Sequence, residues 1–213
     1  MNQAAPLGRK ATREFRREQL IEATIATVSS RGLSMTTLSD VARAAGVSHG
    51  LVNFHFQTKD RLMAETLAFM SKQHRDMWEA AVNAAGPDAA SRLNALILTE
   101  FCETHMSPDR LNAWCAFWGE SAHRSNYLEQ CGDNDRAYIE AFTASCNDLI
   151  SAGGYDIDAR LAGRVLRLTI EGVWLELMFT AMPYALEEAR KTAFFCASTL
   201  FPRHFNAEGL IKA

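Results

Sequence analysis

Apolar residues recur along this chain at intervals of three, four and seven positions, the spacing that places side chains on one face of an α-helix. A half-buried strand would instead alternate apolar and polar residues, and such runs are scarce here. The first clear helical face lies between Arg13 and Ser30 and consists of Leu20, Ile21, Thr24, Ile25 and Val28. The pattern therefore predicts an all-α protein of about nine helices.

Two short helices separated by a glycine come next. The pattern predicts them over Thr37–Ala45 and Ser48–Phe54, and Gly46 permits the tight turn between them. Thr37 and Asp40 have the spacing of a capping box. Three apolar side chains would hold the second helix against the first: Val41, Val47 and Val52. This arrangement predicts a helix-turn-helix that places its second helix in the major groove of DNA; an ordinary helical hairpin is the alternative.

The rest of the chain continues with longer helical segments. A long helix is predicted over 59–84, and breaks at glycine, proline and serine separate further helices over 88–105, 108–122, 125–152, 157–181 and 184–200. The organisation predicted from these segments is a DNA-binding domain over 1–60, with a basic N-terminal arm, and a helical bundle over 61–213.

Charge is distributed unevenly between these two parts. Residues 1–60 carry eight basic and five acidic side chains, whereas the remaining residues carry 14 basic and 20 acidic ones. A basic head on an acidic body is typical of a head that binds a polyanion, because neutralised phosphates supply most of the non-specific affinity for nucleic acid. A solvated helix face is the alternative explanation.

The segment from Phe15 to Leu62 resembles the DNA-binding domain of the TetR family of bacterial repressors. The stretches that carry the resemblance are Ile21-Glu22-Ala23-Thr24, Gly32, the run from Thr36 to Ser48, Gly50-Leu51-Val52 and the run from Phe56 to Leu62. The resemblance implies an all-α homodimer with three DNA-binding helices, a linking fourth helix and a C-terminal bundle. An effector bound in that bundle would weaken affinity for a palindromic double-stranded operator.

The resemblance also implies a set of DNA-contacting residues: Thr36, Thr37, Ser48, His49, Gly50, Asn53, His55 and Lys59. Thr37 and Lys59 would contact phosphates at helix N-termini, where backbone N–H groups and the helix dipole favour anions. Asn53 would pair with an adenine or touch a phosphate. His55 would donate a hydrogen bond whose strength varies at a pH of about 6–7.

Aromatic residues cluster in the predicted effector domain. Three stand at i, i+3 and i+4 on one helix: Trp114, Phe117 and Trp118. Farther along, Glu171 lies three residues before Trp174 on an otherwise apolar helix. Aromatic faces with one carboxylate suit a quaternary ammonium ion, since the rings attract the cation without a hydrogen bond. Core packing of the aromatics, with Arg164 or Arg167 neutralising Glu171, is the alternative.

A closer resemblance links these residues to a choline-responsive subgroup of the family that controls glycine-betaine synthesis. The matching residues include Ala113-Trp114, Ala116-Phe117-Trp118 and the run from Glu171 to Leu175. The subgroup implies a repressor released by choline or a related cation. In the alternative, the protein senses an uncharged hydrophobic ligand in a pocket lined by Met70, Met77, Met106 and Met178.

Other classes of protein and site are disfavoured. The H-E-x-x-H, G-x-G-x-x-G and P-loop patterns do not occur, so no enzyme activity or cofactor is predicted. Cys102 and His105 form a single pair with metal-ligand spacing, which is too little to predict a metal site. No apolar run reaches the roughly 18 residues of a membrane span, and no secretory signal begins the chain, so a cytoplasmic protein is expected.

The last two predicted helices carry apolar stripes that favour dimerisation. The stripes consist of Leu161, Val165 and Leu168 on the first helix and Phe194, Ala197 and Phe201 on the second. A monomer of this size would leave part of these stripes exposed, and exposed apolar patches commonly mark interfaces. Core packing is the alternative for several of these residues.

Overall fold

A computed structural model describes residues 9–102, 107–119, 124–179 and 185–211 of the chain. Over these ranges the chain forms nine helices: α1 (Arg9–Arg31), α2 (Leu38–Ala44), α3 (His49–Phe56), α4 (Lys59–Ala85), α5 (Ala89–Thr99), α6 (Pro108–Gly119), α7 (Arg124–Gly153), α8 (Ala159–Phe179) and α9 (Leu186–Leu200). The predicted all-α class is confirmed. No helix in these ranges is long and apolar enough to cross a bilayer.

A short antiparallel hairpin near the C-terminus was not predicted. It pairs β1 (Phe205–Asn206) with β2 (Gly209–Leu210), in a register that places Phe205 opposite Leu210. The Asn206 side-chain oxygen accepts the backbone N–H groups of Glu208 and Gly209, at 2.8 and 3.1 Å, and so closes the turn. The strands are only two residues long, too short for an alternating pattern to reveal them.

The turn between α2 and α3 follows the prediction closely. The Thr37 hydroxyl oxygen caps α2 by accepting a hydrogen bond from the backbone N–H of Asp40 at 3.2 Å, and the Asp40 carboxylate accepts one from the backbone N–H of Thr37. The hydrogen bond from the Thr37 hydroxyl is the largest cause of the lowered pKa of Asp40, so this capping group stays ionised. Gly46 has φ +66, a conformation that side chains disfavour. Ser48 then caps α3 by accepting the backbone N–H of Leu51.

The chain divides into two compact units within α4. The first contains Met1–Met70 and Asn112–Gln130, and the second contains Ser71–Leu111 and Cys131–Ala213. The domain boundary predicted from the sequence lies at the start of α4, whereas the division falls between Met70 and Ser71, after the first 12 of the 27 residues of this helix. The core of the first unit includes Leu20, Ile25, Val41, Val52, Phe56, Leu62 and Met63, all buried.

The second unit has its own apolar core, and α8 and α9 pack against each other within it. The prediction for the apolar stripe of α9 is wrong, because its three residues are core residues: Phe194, Ala197 and Phe201 are each at most 1% exposed. The aromatic residue that α9 exposes is Phe195, one position after Phe194 and about 100° around the helix. The α8 stripe agrees with the prediction, because Leu161, Val165 and Leu168 are 58%, 38% and 53% exposed.

Candidate DNA-binding surface and effector site

One face of α3 is open to solvent and the other is sealed. Val52 and Phe56 are fully buried, so α3 is fixed to its unit by its apolar side. The outward face consists of His49, Gly50, Asn53 and Phe54, all exposed. Three of these four residues were predicted to face the major groove, and their common exposure agrees with that prediction.

Phe54 is the residue of this face that the sequence analysis did not select. Phe54 is 67% exposed, although its side chain is apolar and it lies within α3. The guanidinium of Arg13 lies 5.9 Å from the ring centroid, within the range of a cation–π contact. The contact brings a positive charge from α1 to the open face of α3, where a phosphate backbone would meet it.

Residues at the N-termini of the helices stand beside this face. Thr37 and Ser48 are exposed, and their side chains already serve as caps. Lys59 begins α4, and its ammonium group donates to the carbonyl oxygen of Ser34 at 2.8 Å. These positions leave backbone N–H groups and a cation at helix N-termini, where anions are favoured.

Two of the predicted contact residues lie inside the unit. Thr36 is fully buried, and its hydroxyl donates to the carbonyl oxygen of Gly32 at 2.8 Å. His55 is 8% exposed, and its pKa is lowered first by burial and then by the positive charges of Arg13 and Arg17. Side-chain contacts with DNA do not fit these positions, because α3 turns residue 55 toward the core two residues after it turns Asn53 outward. The pH-dependent bond expected for His55 therefore has no support in this geometry.

The aromatic stripe of α6 belongs to the first unit. Trp114 and Phe117 are 7% and 3% exposed, so both rings are packed. Trp118 is 40% exposed, and its indole N–H donates to the Tyr127 hydroxyl at 3.0 Å. The indole rings of Trp114 and Trp118 have centroids 6.1 Å apart and planes tilted by 33°. The shared helix face is confirmed, whereas a ligand-binding role for these rings stays a prediction.

On α8 the predicted carboxylate is engaged by a neighbouring arginine. Arg167 donates to the Glu171 carboxylate one helical turn away. Burial raises the pKa of Glu171, and the charge of Arg167 opposes that rise. This is the arrangement that the sequence analysis kept as its alternative. Trp174 is 7% exposed, and its indole N–H donates to the backbone carbonyl of Glu100 at 3.3 Å.

Glu100 is the charged residue that the sequence analysis missed. Its side chain is fully buried in the second unit. Its Oε1 atom lies 2.9 Å from His74 Nε2 and accepts the Tyr138 hydroxyl at 2.5 Å. His74 Nδ1 in turn lies 3.2 Å from the side-chain nitrogen of Asn134, whose oxygen accepts the indole N–H of Trp78 at 3.1 Å. Side chains from α4 and α7 thus converge on one carboxylate at the end of α5.

A signal for Glu100 was present in the chain. Leu93, Leu96, Ile97 and Glu100 are spaced i, i+3, i+4 and i+7, so the glutamate stands on the apolar face of its predicted helix. A carboxylate in such a position needs hydrogen-bonding partners, because burying it alone is costly. Those partners come from other helices, so the local pattern does not name them. His105, the second residue of the pair with metal-ligand spacing, and Met106 of the alternative pocket lie outside the described residues.

Comparisons with known proteins identify both parts of the chain. Residues 20–66 match the model of bacterial regulatory proteins of the tetR family, and residues 89–201 match that of the C-terminal domain of BetI-type transcriptional repressors. The HTH-type transcriptional regulator BetI of Paraburkholderia xenovorans is 33% identical over 184 residues, which cover 85% of this chain and 91% of that protein. The chain belongs to the TetR family, with a BetI-type C-terminal domain.

Solved structures agree with this TetR-family assignment. A regulator from Pseudomonas aeruginosa PAO1 has a TM-score of 0.75 and 27% identity, over 89% of this chain and 92% of that one. A regulator from Saccharomonospora viridis in complex with choline has a TM-score of 0.74 and 18% identity, over 90% and 98% of the two chains. These structures agree with the TetR-like fold, and the two family matches together with the BetI relative establish the helix-turn-helix and the BetI-type repressor class. The expectation that the chain is not an enzyme is confirmed, because its family consists of transcriptional regulators.

Proposed function

We propose that this TetR-family repressor binds a palindromic operator as a homodimer and releases it when a small quaternary ammonium compound, such as choline, binds the C-terminal domain. The observation that carries the proposal is the open face of α3 on a chain whose residues 89–201 match BetI-type repressors. Such a protein would act in the cytoplasm, where the chromosome lies.

The DNA contacts follow from the exposed face. Asn53 and His49 would reach base edges in the major groove, and Gly50 would let the backbone approach closely. Ser48, together with Thr37 and Lys59, would contact phosphates at helix N-termini. Phosphate contacts set the register and base contacts supply the specificity, so the two sets should respond differently to mutation.

A dimer is supported by the apolar surface of the second unit. Leu161, Val165 and Leu168 form an exposed stripe on α8, and Phe195 is 65% exposed on α9, which packs beside it. A patch of this kind on a water-soluble protein marks an interface. A symmetric dimer would present two α3 helices to half-sites about 34–36 Å apart, as one turn of DNA requires.

The effector class rests on two supports. The S. viridis regulator, which shares this fold, was solved with choline. In the first unit, the α6 stripe of Trp114, Phe117 and Trp118 supplies aromatic rings of the kind that suit a trimethylammonium group, and such a ring contributes about 0.5–2 kcal/mol. Trp174 is a further aromatic residue, in the second unit. Glu171, the carboxylate that the sequence analysis assigned to the cation, is already paired with Arg167. Release requires that the ligand bind the non-operator conformation more tightly; a tenfold to hundredfold preference corresponds to about 1.4–2.8 kcal/mol.

The proposal is tested by fluorescence anisotropy with labelled fragments of the DNA that flanks the gene. We expect tight binding to a palindromic fragment, weaker binding to a scrambled fragment of equal length, and loss of the tight complex on addition of choline. Failure to distinguish the two fragments would refute the operator function. Release by uncharged hydrophobic compounds but not by choline would refute the effector class and leave the repressor in place.

A matched pair of variants tests the role of α3. Asn53→Ala should lower operator affinity by about 1–3 kcal/mol, the value of a base-specific contact, without changing thermal stability, because the side chain is exposed. Glu22→Ala, at an exposed position of α1 outside the predicted contact set, should leave affinity nearly unchanged. Equal operator affinities in the two variants would contradict the proposed orientation of α3 in the groove.

A further inference from the structure

The donor and acceptor of each hydrogen bond around Glu100 can be assigned by starting from the indole N–H of Trp78. The indole nitrogen of Trp78 can only donate, so the atom of Asn134 that faces it at 3.1 Å is the acceptor oxygen. The amide nitrogen of Asn134 therefore faces His74 and donates to its Nδ1 atom. An Nδ1 atom that accepts a hydrogen bond carries no proton. His74 consequently holds its proton on Nε2 and donates it to Glu100.

The whole chain of donors thus ends on one carboxylate. Tyr138 adds a second donor to the same oxygen, and burial together with the Glu100 charge raises the pKa of this tyrosine well above its ordinary value, so it keeps its proton. In this arrangement the donors converge on the Glu100 carboxylate and stabilise its anionic form in the interior of the second unit.

The end of α5 adds to the negative potential at this point. Glu100 is the C-cap residue of this 11-residue helix, whose last carbonyl groups carry the negative end of the helix dipole. Two aromatic side chains hydrogen-bond to the same residue: the Tyr138 hydroxyl donates to its carboxylate, and the Trp174 indole N–H donates to its backbone carbonyl. The ring of Trp78 packs against Tyr138, with 5.8 Å between the ring centroids. A carboxylate, a helix C-terminus and aromatic rings together favour a cation with an apolar surface.

Stability alone does not account for such a network. Replacing a buried charged network with apolar residues of similar volume is often neutral or stabilising, so its presence in a helical bundle favours a functional role. Ligand sites in helical bundles are built from inward-facing side chains of several helices, and Glu100, His74, Tyr138 and Trp174 come from four.

We propose that the Glu100 carboxylate is the anionic group that recognises the cationic head of the effector, the role that the sequence analysis assigned to Glu171. Trp174 supplies an adjoining aromatic face, and Tyr138 and His74 position the carboxylate. The inference rests on the proposed function, because it takes the effector to be a quaternary ammonium ion.

The test compares choline with its uncharged isostere 3,3-dimethylbutan-1-ol by isothermal titration of the full-length protein. The wild type should prefer choline by about tenfold or more, since a cation paired with a buried carboxylate gains more than a rim charge does. Glu100→Gln should reduce that preference to near unity while operator binding without ligand persists. Glu171→Gln, which removes a carboxylate already paired with Arg167, should retain the preference.

The outcomes separate this inference from the proposed function. A wild type that binds neither compound, or both equally, would refute the cationic effector itself. A preference that persists in Glu100→Gln and disappears in Glu171→Gln would overturn the inference and leave the proposed function standing. Should Glu100→Gln not fold, a crystal structure of the wild-type choline complex decides: a choline nitrogen within about 6 Å of the Glu100 carboxylate supports the assignment, and any other location overturns it.

Discussion

Removing the Tyr138 hydroxyl probes the charge of Glu100 directly. This hydroxyl donates to Glu100 Oε1 at 2.5 Å, and the tyrosine is only 8% exposed. A hydrogen bond to a charged partner contributes about 1.5–3 kcal/mol, whereas one between neutral groups contributes about 0.5–1.5 kcal/mol. Tyr138→Phe keeps the ring and its edge-to-face contact with Phe142, so we expect a loss of roughly 2–3 kcal/mol in the free energy of unfolding, near the upper end of the charged range.

The same unit contains a matched control. The Tyr155 hydroxyl bonds His204 Nδ1 at 2.7 Å and accepts the backbone N–H of Arg203 at 3.1 Å, without a carboxylate partner in these bonds. Tyr155→Phe should therefore lower the free energy of unfolding by about 1 kcal/mol. Both variants are compared with the wild type by urea denaturation at one protein concentration, because association would otherwise alter the apparent stability.

The comparison has a clear refuting result. A cost for Tyr138→Phe no larger than that for Tyr155→Phe would show that Glu100 is not the ionised acceptor that the donor chain requires. The double variant Tyr138→Phe/Glu100→Gln supplies a second check. In that background the tyrosine substitution should lose most of its cost, since the charged acceptor is gone.

Two further predictions concern the stability of the DNA-binding domain and the location of the dimer interface. The lowered pKa of His55 means that the fold favours its neutral form. The DNA-binding domain should therefore be fully stable above pH 6.5 and lose stability as the pH falls through the folded-state pKa of His55. His55→Gln should flatten this pH dependence of the free energy of unfolding, measured by urea denaturation between about pH 7 and 5. Leu168→Glu should shift the protein toward monomer in analytical ultracentrifugation. Leu128→Glu, at a similarly exposed position outside the α8 stripe, should not. Unchanged association in Leu168→Glu would exclude the α8 stripe as the dimer interface.

Local signals in the chain were sufficient to predict the helices and turns of the DNA-binding domain. The capping box of Thr37 and Asp40, the turn glycine Gly46 and the Ser48 cap each involve residues within a few positions of one another, so their geometry is encoded in short segments. The same holds for the outward direction of Asn53, which follows from helical periodicity once Val52 is buried. The exception is His55. It was assigned to DNA contact because it is polar, although helical periodicity places it on the buried side of α3 together with Val52 and Phe56.

Residues that meet only through tertiary packing could not be assigned in this way. The sequence placed Glu171 on an apolar face, and the packed structure shows its carboxylate engaged by Arg167, one of two arginines that the spacing allowed. On α9, the choice between Phe194 and Phe195 as the exposed ring depends on the rotation of the helix against the core, a shift of one residue. Because α9 carries apolar residues on neighbouring faces, its sequence pattern alone does not specify which face packs against the core.

The sequence by itself determined the all-α class, the helix-turn-helix and the aromatic stripe of α6, because each depends on contacts within one helix or between neighbouring ones. Only the tertiary structure decided that Glu100, rather than a residue of α8, is the fully buried carboxylate, and that the donor chain from Trp78 leads to it. These partners are up to 60 residues apart along the chain. They meet only because α4, α5 and α7 pack together, and the direction of each hydrogen bond can be assigned only once its donor and acceptor lie within reach.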